Sequence, residues 1–394
     1  MKTKIIDIKT LNEFASNNYL FNFFESEIYA NVIKLNKEKN MIIGVYNENV
    51  LCAVSIVLIK KLTFSLKYAF LPKGFITNYN DSDNIMKITK SLSEFFTSKK
   101  FAFIKISPEI PLYKINYKDK NKEIFLNSKN ICNSLESNKY IIPSYNNYYN
   151  KYNISINLKD FNVNNLSEIT KLRLLNFNNN LPIRKGNIDE LKYFNLSKKE
   201  TSLYKQYLEN NNLDFLLIEI DYNIYLKLLN NEYEAEIETN KNIIKEYKEN
   251  INDEKLLNIK LLSDNKIHDL KDEITNVTRL IFDENNANKK IIISSIITFK
   301  YFNKISIIKS TYGLSNSNVD GNYFITYLLI QFYKKQNFEY LNLNSISENE
   351  LFNNYDYRLS FNPEIIEYIP EYDLVLNKKY YDLLNKLSYL NKKD

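Results

Sequence analysis

The sequence has 394 residues, of which only five are glycine, and its formal net charge is +6. Because average glycine usage is about 7%, collagen-like and Gly/Ser-rich structures are excluded. Neither the G-x-G-x-x-G nor the G-x-x-x-x-G-K-[ST] phosphate-binding motif occurs. Hydrophobic residues make up 44% and charged residues 25%, as is typical of a globular protein. The mild positive charge permits a polyanionic partner without requiring one.

Residue types that carry covalent or metal chemistry are scarce in this chain. The two cysteines, Cys52 and Cys132, lack the spacing of a disulfide framework or a metal site. The single histidine, His268, lies in a charged helical stretch, which excludes Ser-His-Asp and Cys-His catalysis and predicts no metal site. The first residues lack a signal-peptide core, and no apolar run approaches the roughly 18 residues of a membrane span. We therefore expect a cytoplasmic protein.

Two segments follow the same order of strand, strand, turn, helix and strand. In the first segment these elements are predicted at 51–59, 63–70, 71–74, about 82–98 and 101–107. In the second they are predicted at 290–299, 304–311, 312–315, about 321–335 and 338–344. Both helices carry apolar residues at helical spacing, and the strands alternate as half-buried strands do. The repetition predicts two similar α/β domains side by side, with a ligand cleft between them.

A stretch of different composition separates the two repeated segments. Residues 223–281 contain no Gly or Pro, and apolar residues recur there at spacings of three and four, with a break near 252–254. This pattern predicts an antiparallel coiled-coil hairpin arm. The arm carries nine Lys/Arg and twelve Asp/Glu, a net charge of −3. A nucleic-acid clamp should be basic, so a protein-binding or spacer role is at least as consistent with the arm.

Six short motifs occur in a fixed order along nearly the whole chain. They are Leu71–Tyr79 (LPKGFITNY), Ile104–Pro108 (IKISP), Tyr152–Lys159 (YNISINLK), Gly313–Asn316 (GLSN), Tyr357–Phe361 (YRLSF) and Glu367–Leu374 (EYIPEYDL). In order and spacing they resemble the R-G-P-V-x-D-Y, I-D-P, T-x-x-I-D-L, G-x-S-N, F-K-x-G-F and E-Y-x-G-x-[FY]-D-L motifs of the Fem-type (FemABX) peptidoglycan aminoacyltransferases.

The resemblance implies an α/β fold of two GNAT-like domains with the coiled-coil arm inserted in the second. The first domain is expected at 1–150, the second at 151–222 and 282–394, and the arm at 223–281.

The implied activity is transfer of an amino acid, with glycine the most ordinary donor, from aminoacyl-tRNA to an amine of the peptidoglycan precursor stem peptide. Aminoacyl-tRNA is then a co-substrate, and no cofactor is expected. The precursor is UDP-linked or lipid-linked, and a peripheral membrane contact is compatible with it.

The resemblance also assigns candidate site residues. Arg358 stands where the family has the Lys of F-K, and a permanent cation there could hold a precursor phosphate or a developing oxyanion. We therefore assign it the catalytic role. Substrate-binding roles are expected for residues in the other matching positions, namely Lys34, Lys73, Gly74, Lys171, Gly313, Ser315 and Asn316.

Several positions depart from the family pattern. Ser107 replaces the Asp of I-D-P, so no carboxylate base is available there, and Ser360 and Pro370 replace glycines. These departures leave two alternatives open. One is an N-acyltransferase of the same fold acting on a small amine, and the other is a catalytically silent member whose arm binds a partner protein.

Overall fold

Two mixed β-sheets flanked by helices form the core of the protein in the computed structural model. The structure describes residues 1–61, 66–116, 121–144, 147–177, 180–194, 196–209, 213–251, 253–282, 289–312, 321–353 and 356–383. Over these ranges the strands, in chain order, are β1 (Lys2–Ile5), β2 (Asn40–Asn47), β3 (Val50–Lys61), β4 (Lys67–Lys73), β5 (Phe103–Pro108), β6 (Pro111–Ile115), β7 (Lys122–Ile124), β8 (Ile141–Pro143), β9 (Tyr152–Asn157), β10 (Ile183–Lys185), β11 (Leu213–Asp221), β12 (Lys290–Tyr301), β13 (Lys304–Tyr312), β14 (Tyr340–Ile346), β15 (Glu364–Tyr368) and β16 (Tyr372–Val375). The α-helices are α1 (Ile8–Ala15), α2 (Glu27–Leu35), α3 (Ser82–Ser98), α4 (Leu126–Glu136), α5 (Glu168–Leu172), α6 (Lys198–Glu209), α7 (Tyr222–Glu249), α8 (Glu254–Phe282), α9 (Asn322–Lys334) and α10 (Glu348–Asn353).

The first sheet has the strand order β1-β2-β3-β4-β5-β16-β8, and β4 and β5 are its parallel pair. Helix α3 connects these two strands. It begins where the Asp81 carboxylate accepts a hydrogen bond from the Asn84 amide, a side-chain N-cap. Its buried residues include Ile88, Leu92 and Phe96, which follow the helical spacing of the sequence. The predicted helix at 82–98 is therefore confirmed.

The second sheet has the order β10-β11-β12-β13-β14-β9-β15-β6-β7 and repeats this unit. Strands β12 and β13 are antiparallel, helix α9 follows, and β14 returns parallel to β13. The predicted helix over 321–335 is found at Asn322–Lys334. The duplication read from the sequence is therefore present as two strand–strand–helix–strand units, one in each sheet.

The sequence predicts a turn at 71–74, and this prediction is wrong for the first three of these residues. Leu71, Pro72 and Lys73 belong to β4 and pair with Ile106, Ser107 and Pro108 of β5. Pairing of β4 with β3 ends at Phe70, so residues 71–73 pair on one side only. A proline fits there because its missing N–H lies on the open side of the strand.

The two sheets exchange strands along the chain. Strands β6 and β7, from the first half of the sequence, pair at the edge of the second sheet, through β15. Strand β16, near the C-terminal end, lies between β5 and β8 in the first sheet. The division of the chain at residue 150 stays a prediction, and sheet pairing crosses it in both directions.

Helices α7 and α8 form a hairpin, which we call the arm. Near the middle of its two helices lies a buried charge network, in which the Arg173 Nε lies 3.0 Å from Glu232 and the Lys266 Nζ lies 2.7 Å from the same carboxylate. Ser263 of α8 donates to Glu236 of α7 at 2.6 Å. Because Arg173 follows α5, these pairs fix the arm to the second sheet's unit as well as joining its two helices. Within the described ranges, no helix has the length and apolar character needed to cross a membrane.

Candidate functional site

The parallel pair of the second sheet separates, whereas that of the first sheet stays closed. Strands β13 and β14 pair at three positions only, the last being Ser306 with Asn342. Strands β4 and β5 pair at five positions, through to Lys73 with Pro108. Beyond Ser306 and Asn342 the two strands of the second sheet leave an opening between them, and this opening forms one wall of a cleft.

The cleft has a volume of about 390 Å³ and lies between the two sheets. Its second-sheet wall is made by β12, β13, β14, the start of β9 and the end of β15, and its first-sheet wall by the end of β4, the residue after β5 and two loops. The lining residues are Asn22, Phe23, Phe24, Lys73, Glu109, Tyr149, Asn150, Asn153, Tyr301, Ser306, Ile307, Ile308, Asn342, Asn344, Ser345 and Tyr368. A volume in this range suits a small-molecule group or the reacting end of a larger substrate.

Two irregularities shape the opening. The pairing of β12 with β13 shifts register so that Ile308 has no partner, which is a β-bulge facing the cleft. On β14, Asn344 adopts a left-handed conformation with φ 71°, and its side chain donates to the Ile307 carbonyl at 3.2 Å. Bulges of this kind re-aim backbone and side chains at the rims of sites. The opening is therefore built by local backbone geometry in both of its strands.

A lysine and a glutamate face each other on the first-sheet wall. The Lys73 Nζ lies 3.3 Å from Glu109 Oε1, and the two side chains are 11% and 22% exposed. The Lys73 ammonium also lies 4.3 Å from the ring centroid of Tyr149 and 5.6 Å from that of Tyr368. Partial burial strengthens both the charge pair and the cation–π contacts. Among the described residues that line the cleft, Lys73 is the only cation and Glu109 the only carboxylate.

Three tyrosines of the lining remain protonated at neutral pH. Burial raises the pKa of Tyr149 and of Tyr368. Burial, with the negative charge of Glu109 as a further cause, raises the pKa of Tyr301 to about 12. The Tyr301 hydroxyl shares a 3.1 Å hydrogen bond with Ser306 at the point where the strands separate. The cleft thus offers neutral hydroxyl donors beside one carboxylate.

Glu371 holds the Tyr149 segment in place from behind. Its carboxylate accepts hydrogen bonds from the backbone amides of Tyr148 and Tyr149 at 2.8 and 2.9 Å, and from the Ser107 hydroxyl at 2.9 Å. It also lines an adjoining cleft of about 250 Å³, which shares Lys73, Tyr149 and Tyr368 with the larger one. Lys73 therefore stands where two clefts meet.

The structure places one of the predicted site residues, Lys73, in the lining of the cleft. Gly74 follows it directly but is not a lining residue, and a Cβ at this position would meet the buried carboxyl of Glu25. Lys34 is exposed on the last turn of α2, and Lys171 pairs with Glu168 at 2.8 Å one helical turn away. Neither of these two residues is among those that line the two clefts. The remaining predicted positions, Gly313, Ser315 and Asn316, lie outside the described residues.

Arg358, the predicted catalytic cation, is bound behind the cleft wall. Its Nε lies 2.9 Å from both carboxylate oxygens of Asp356, and its terminal nitrogens donate to the backbone carbonyls of Leu343 and Ser345. Ser345 lines the cleft, whereas Arg358 is absent from the lining residues. In this geometry the guanidinium supports the irregular stretch of β14 instead of facing the cleft.

Arg358→Ala is expected to lower the free energy of unfolding by about 2–4 kcal/mol, because it leaves a largely buried Asp356 and two carbonyls without their donor. Urea denaturation measures the change. Arg279→Ala, an exposed arginine on α8, is the matched control and should change stability by less than about 0.5 kcal/mol. An Arg358→Ala protein as stable as the wild type, but inactive, would instead favour direct contact of Arg358 with substrate.

The sequence analysis did not identify several of the site residues, Glu109 and Tyr149 among them. Glu109 supplies a carboxylate two positions after Ser107, the position at which the Fem pattern has its Asp. The sequence feature that could have identified Glu109 is the two-residue period of an extended chain, which places residues i and i+2 on the same side. Tyr149 carried no comparable signal, because it lies in a loop between β8 and β9.

Comparisons with known proteins agree with the architecture. The FemAB family model matches residues 6–388. The crystal structure of FemX aligns with a TM-score of 0.62 at 15% identity, covering 97% of this chain and 99% of that chain. A tandem GNAT protein from the clavulanic acid biosynthesis pathway has a TM-score of 0.44 at 4% identity and 94% coverage of both chains. None of the curated proteins matches the chain in sequence. The FemX similarity confirms the predicted fold class.

Proposed function

The chain belongs to the FemAB family, and from this premise we propose that it is an aminoacyltransferase of peptidoglycan cross-bridge synthesis. It takes an amino acid, glycine in the first instance, from aminoacyl-tRNA and joins it to an amine of the precursor stem peptide. The observation that carries this proposal is the family match over residues 6–388. The cleft at the opening of the second sheet supports it, because it offers a place where an activated acyl group and an amine can meet.

The reaction is the aminolysis of an ester. The amine nitrogen bonds to the ester carbonyl carbon, the carbon–oxygen bond to the tRNA ribose breaks, and the ribose hydroxyl leaves with a proton. The amine must lose a proton as it attacks, and the carbonyl oxygen becomes negative in between. Positioning of two substrates and stabilisation of this oxyanion account for most of the rate such an enzyme needs.

The lining residues fit these tasks. Glu109 accepts the proton of the attacking amine, and Lys73 holds its carboxylate at 3.3 Å. The protonated hydroxyl of Tyr301, beside the separation of β13 and β14, is placed to donate to the oxyanion. The aminoacyl end enters the opening of the second sheet, and the amine comes from the adjoining cleft. Both substrates then meet beside Lys73.

A transfer assay tests the proposal. Purified protein is mixed with tRNA charged with one labelled amino acid at a time, together with a UDP-linked or a lipid-linked pentapeptide precursor. Label is expected in the precursor only when charged tRNA is present, and uncharged tRNA with free amino acid is the blank. Absence of transfer from every charged tRNA would contradict the proposal. Acylation of a small amine from another activated donor would then favour the related N-acyltransferase.

Two of the three predicted substrate-binding lysines, Lys73 and Lys34, should behave differently in this assay. Lys73→Gln is expected to lower kcat/KM by about tenfold to a hundredfold, because it removes the charged partner of Glu109 from the cleft. Lys34→Gln makes the same chemical change on an exposed helix turn and should leave kcat/KM unchanged. Equal losses in both variants would show that Lys34 also binds substrate.

A further inference from the structure

Lysines gather at one end of the first sheet, the end opposite the cleft. Lys37 and Lys39 precede β2, Lys60 and Lys61 end β3, and Lys67 opens β4. Lys61 pairs directly with Lys67, and the Lys39 carbonyl accepts a hydrogen bond from the Ile59 amide at 2.7 Å. These contacts place the ends of three neighbouring strands, with their lysines, side by side.

The next strands of the first sheet add further lysines at the same end. Lys99 and Lys100 lie between α3 and β5, Lys139 precedes β8, and Lys378 and Lys379 follow β16. Backbone hydrogen bonds link these segments to the first three strands. The amide of residue 102 donates to the carbonyl of residue 67, and the amide of residue 377 donates to the carbonyl of residue 102. We call this surface the lysine end of the first sheet.

The lysine end holds more positive charge than the chain has in total. Its terminal segments (36–39, 60–61, 66–67, 99–100, 137–140 and 376–383) contain ten lysines and two acidic residues, Glu38 and Asp382, a net charge of +8. The whole chain carries +6, so the remainder is weakly negative. The arm, in contrast, carries nine Lys/Arg against twelve Asp/Glu. A polyanion is therefore attracted to the lysine end in preference to the arm.

We propose that the lysine end of the first sheet binds the phosphate backbone of the tRNA body, at a distance from the cleft that receives the aminoacyl end. The inference rests on the proposed function in taking tRNA as the polyanion. Six strand ends at about 4.8 Å spacing form a row roughly 24 Å long, and the length of β4 separates this row from Lys73 by roughly 20 Å. One extended polyanion can contact both.

The shape and side chains of the row favour an RNA helix over a lipid surface. Neighbouring strands in a sheet rotate by about 20° each, so the ends of six strands follow a curve instead of lying in one plane. Tyr140 and Tyr380, 54% and 45% exposed, stand among the lysines. Exposed rings beside cations stack on unpaired bases, which tRNA presents in its loops.

Binding of uncharged bulk tRNA, followed by fluorescence anisotropy over a range of salt concentrations, tests the proposal. The variant Lys39→Gln/Lys61→Gln/Lys100→Gln removes one positive charge at each of three strand ends of this row, those of β2, β3 and β5. It should reduce the slope of log K against log salt by about 2–3 and weaken binding about tenfold or more near 0.15 M salt. The control, Lys245→Gln/Lys248→Gln/Lys255→Gln, removes the same charge from the exposed arm tip. It should retain the wild-type slope.

Each outcome of these binding measurements either supports or overturns the proposal. An unchanged slope in the sheet variant, or an equal loss in the arm variant, would overturn the proposal. So would a wild-type protein that binds vesicles of anionic phosphatidylglycerol but not tRNA. The assay needs no turnover, so tRNA binding that depends on the lysine end in a protein without transfer activity would retain the surface and reject the proposed function. With activity present, the sheet variant should raise KM for tRNA and keep kcat.

Discussion

Glu109→Gln is expected to lower kcat for aminoacyl transfer by about 10²–10⁴-fold, the usual contribution of a positioned general base. Glutamine keeps the size and shape of the side chain, but it cannot accept the proton that the attacking amine must lose. Glu109 is the only carboxylate of the larger cleft's lining within the part of the chain that the structure describes, so no neighbour described there replaces it. Because the interaction belongs to the transition state, kcat and kcat/KM should fall together.

Glu364→Gln is the matched control for this change. Glu364 forms a 3.1 Å ion pair with Lys114 on the same sheet as the cleft opening, but it lies outside the lining residues. Its loss should leave the kinetic constants within about twofold of the wild type, since exposed ion pairs contribute little. A Glu109→Gln protein that keeps its kcat would remove Glu109 from the reaction and leave the proton to solvent or to the substrate.

The repeated strand–strand–helix–strand unit could be predicted because each of its elements has a strong local signal. Helix α3 was found at its predicted bounds, and β12 and β13 begin where their alternation begins. Lys73 could also be placed near the site, because its motif has a recognisable order in the chain. These features depend on neighbours in sequence, and period and turn chemistry report such neighbours directly.

The opening of the second sheet could not be predicted in the same way. It depends on where β13 and β14 stop pairing, which a bulge at Ile308 and the left-handed Asn344 decide in three dimensions. The exchange of strands between the two sheets could not be predicted either. Strand β16 has only four residues, and it joins a sheet whose other strands lie some 270 residues earlier in the chain. Arg358 was assigned to the reaction by its alignment, whereas its contacts with Asp356 and two carbonyls depend on that tertiary arrangement.

Gly74→Ala is expected to lower the free energy of unfolding by about 3–5 kcal/mol, which is a large share of the stability of a typical protein. A Cβ at this position would lie 2.0 Å from the Glu25 Oε1 and 2.8 Å from the Ser55 Oγ. Glu25 is fully buried, and its two oxygens accept hydrogen bonds from Ser55 and from the Ile56 amide, both at 2.8 Å. The carboxyl has to move, so the cost combines overpacking with the loss of buried hydrogen bonds.

The stability effect of Gly74→Ala can be assigned to this contact by a double-mutant cycle, measured by urea denaturation. If the clash is with the Glu25 carboxyl, adding Gly74→Ala to a Glu25→Ala protein should cost at least 2 kcal/mol less than adding it to the wild type. Gly321→Ala is the control, because among the described residues its Cβ would meet only the Ile325 Cδ1 at 3.5 Å, an ordinary contact. Its effect should stay below about 1 kcal/mol. Additive costs at positions 74 and 25 would mean that this glycine serves the backbone turn beside Lys73 and not the space above the buried carboxyl.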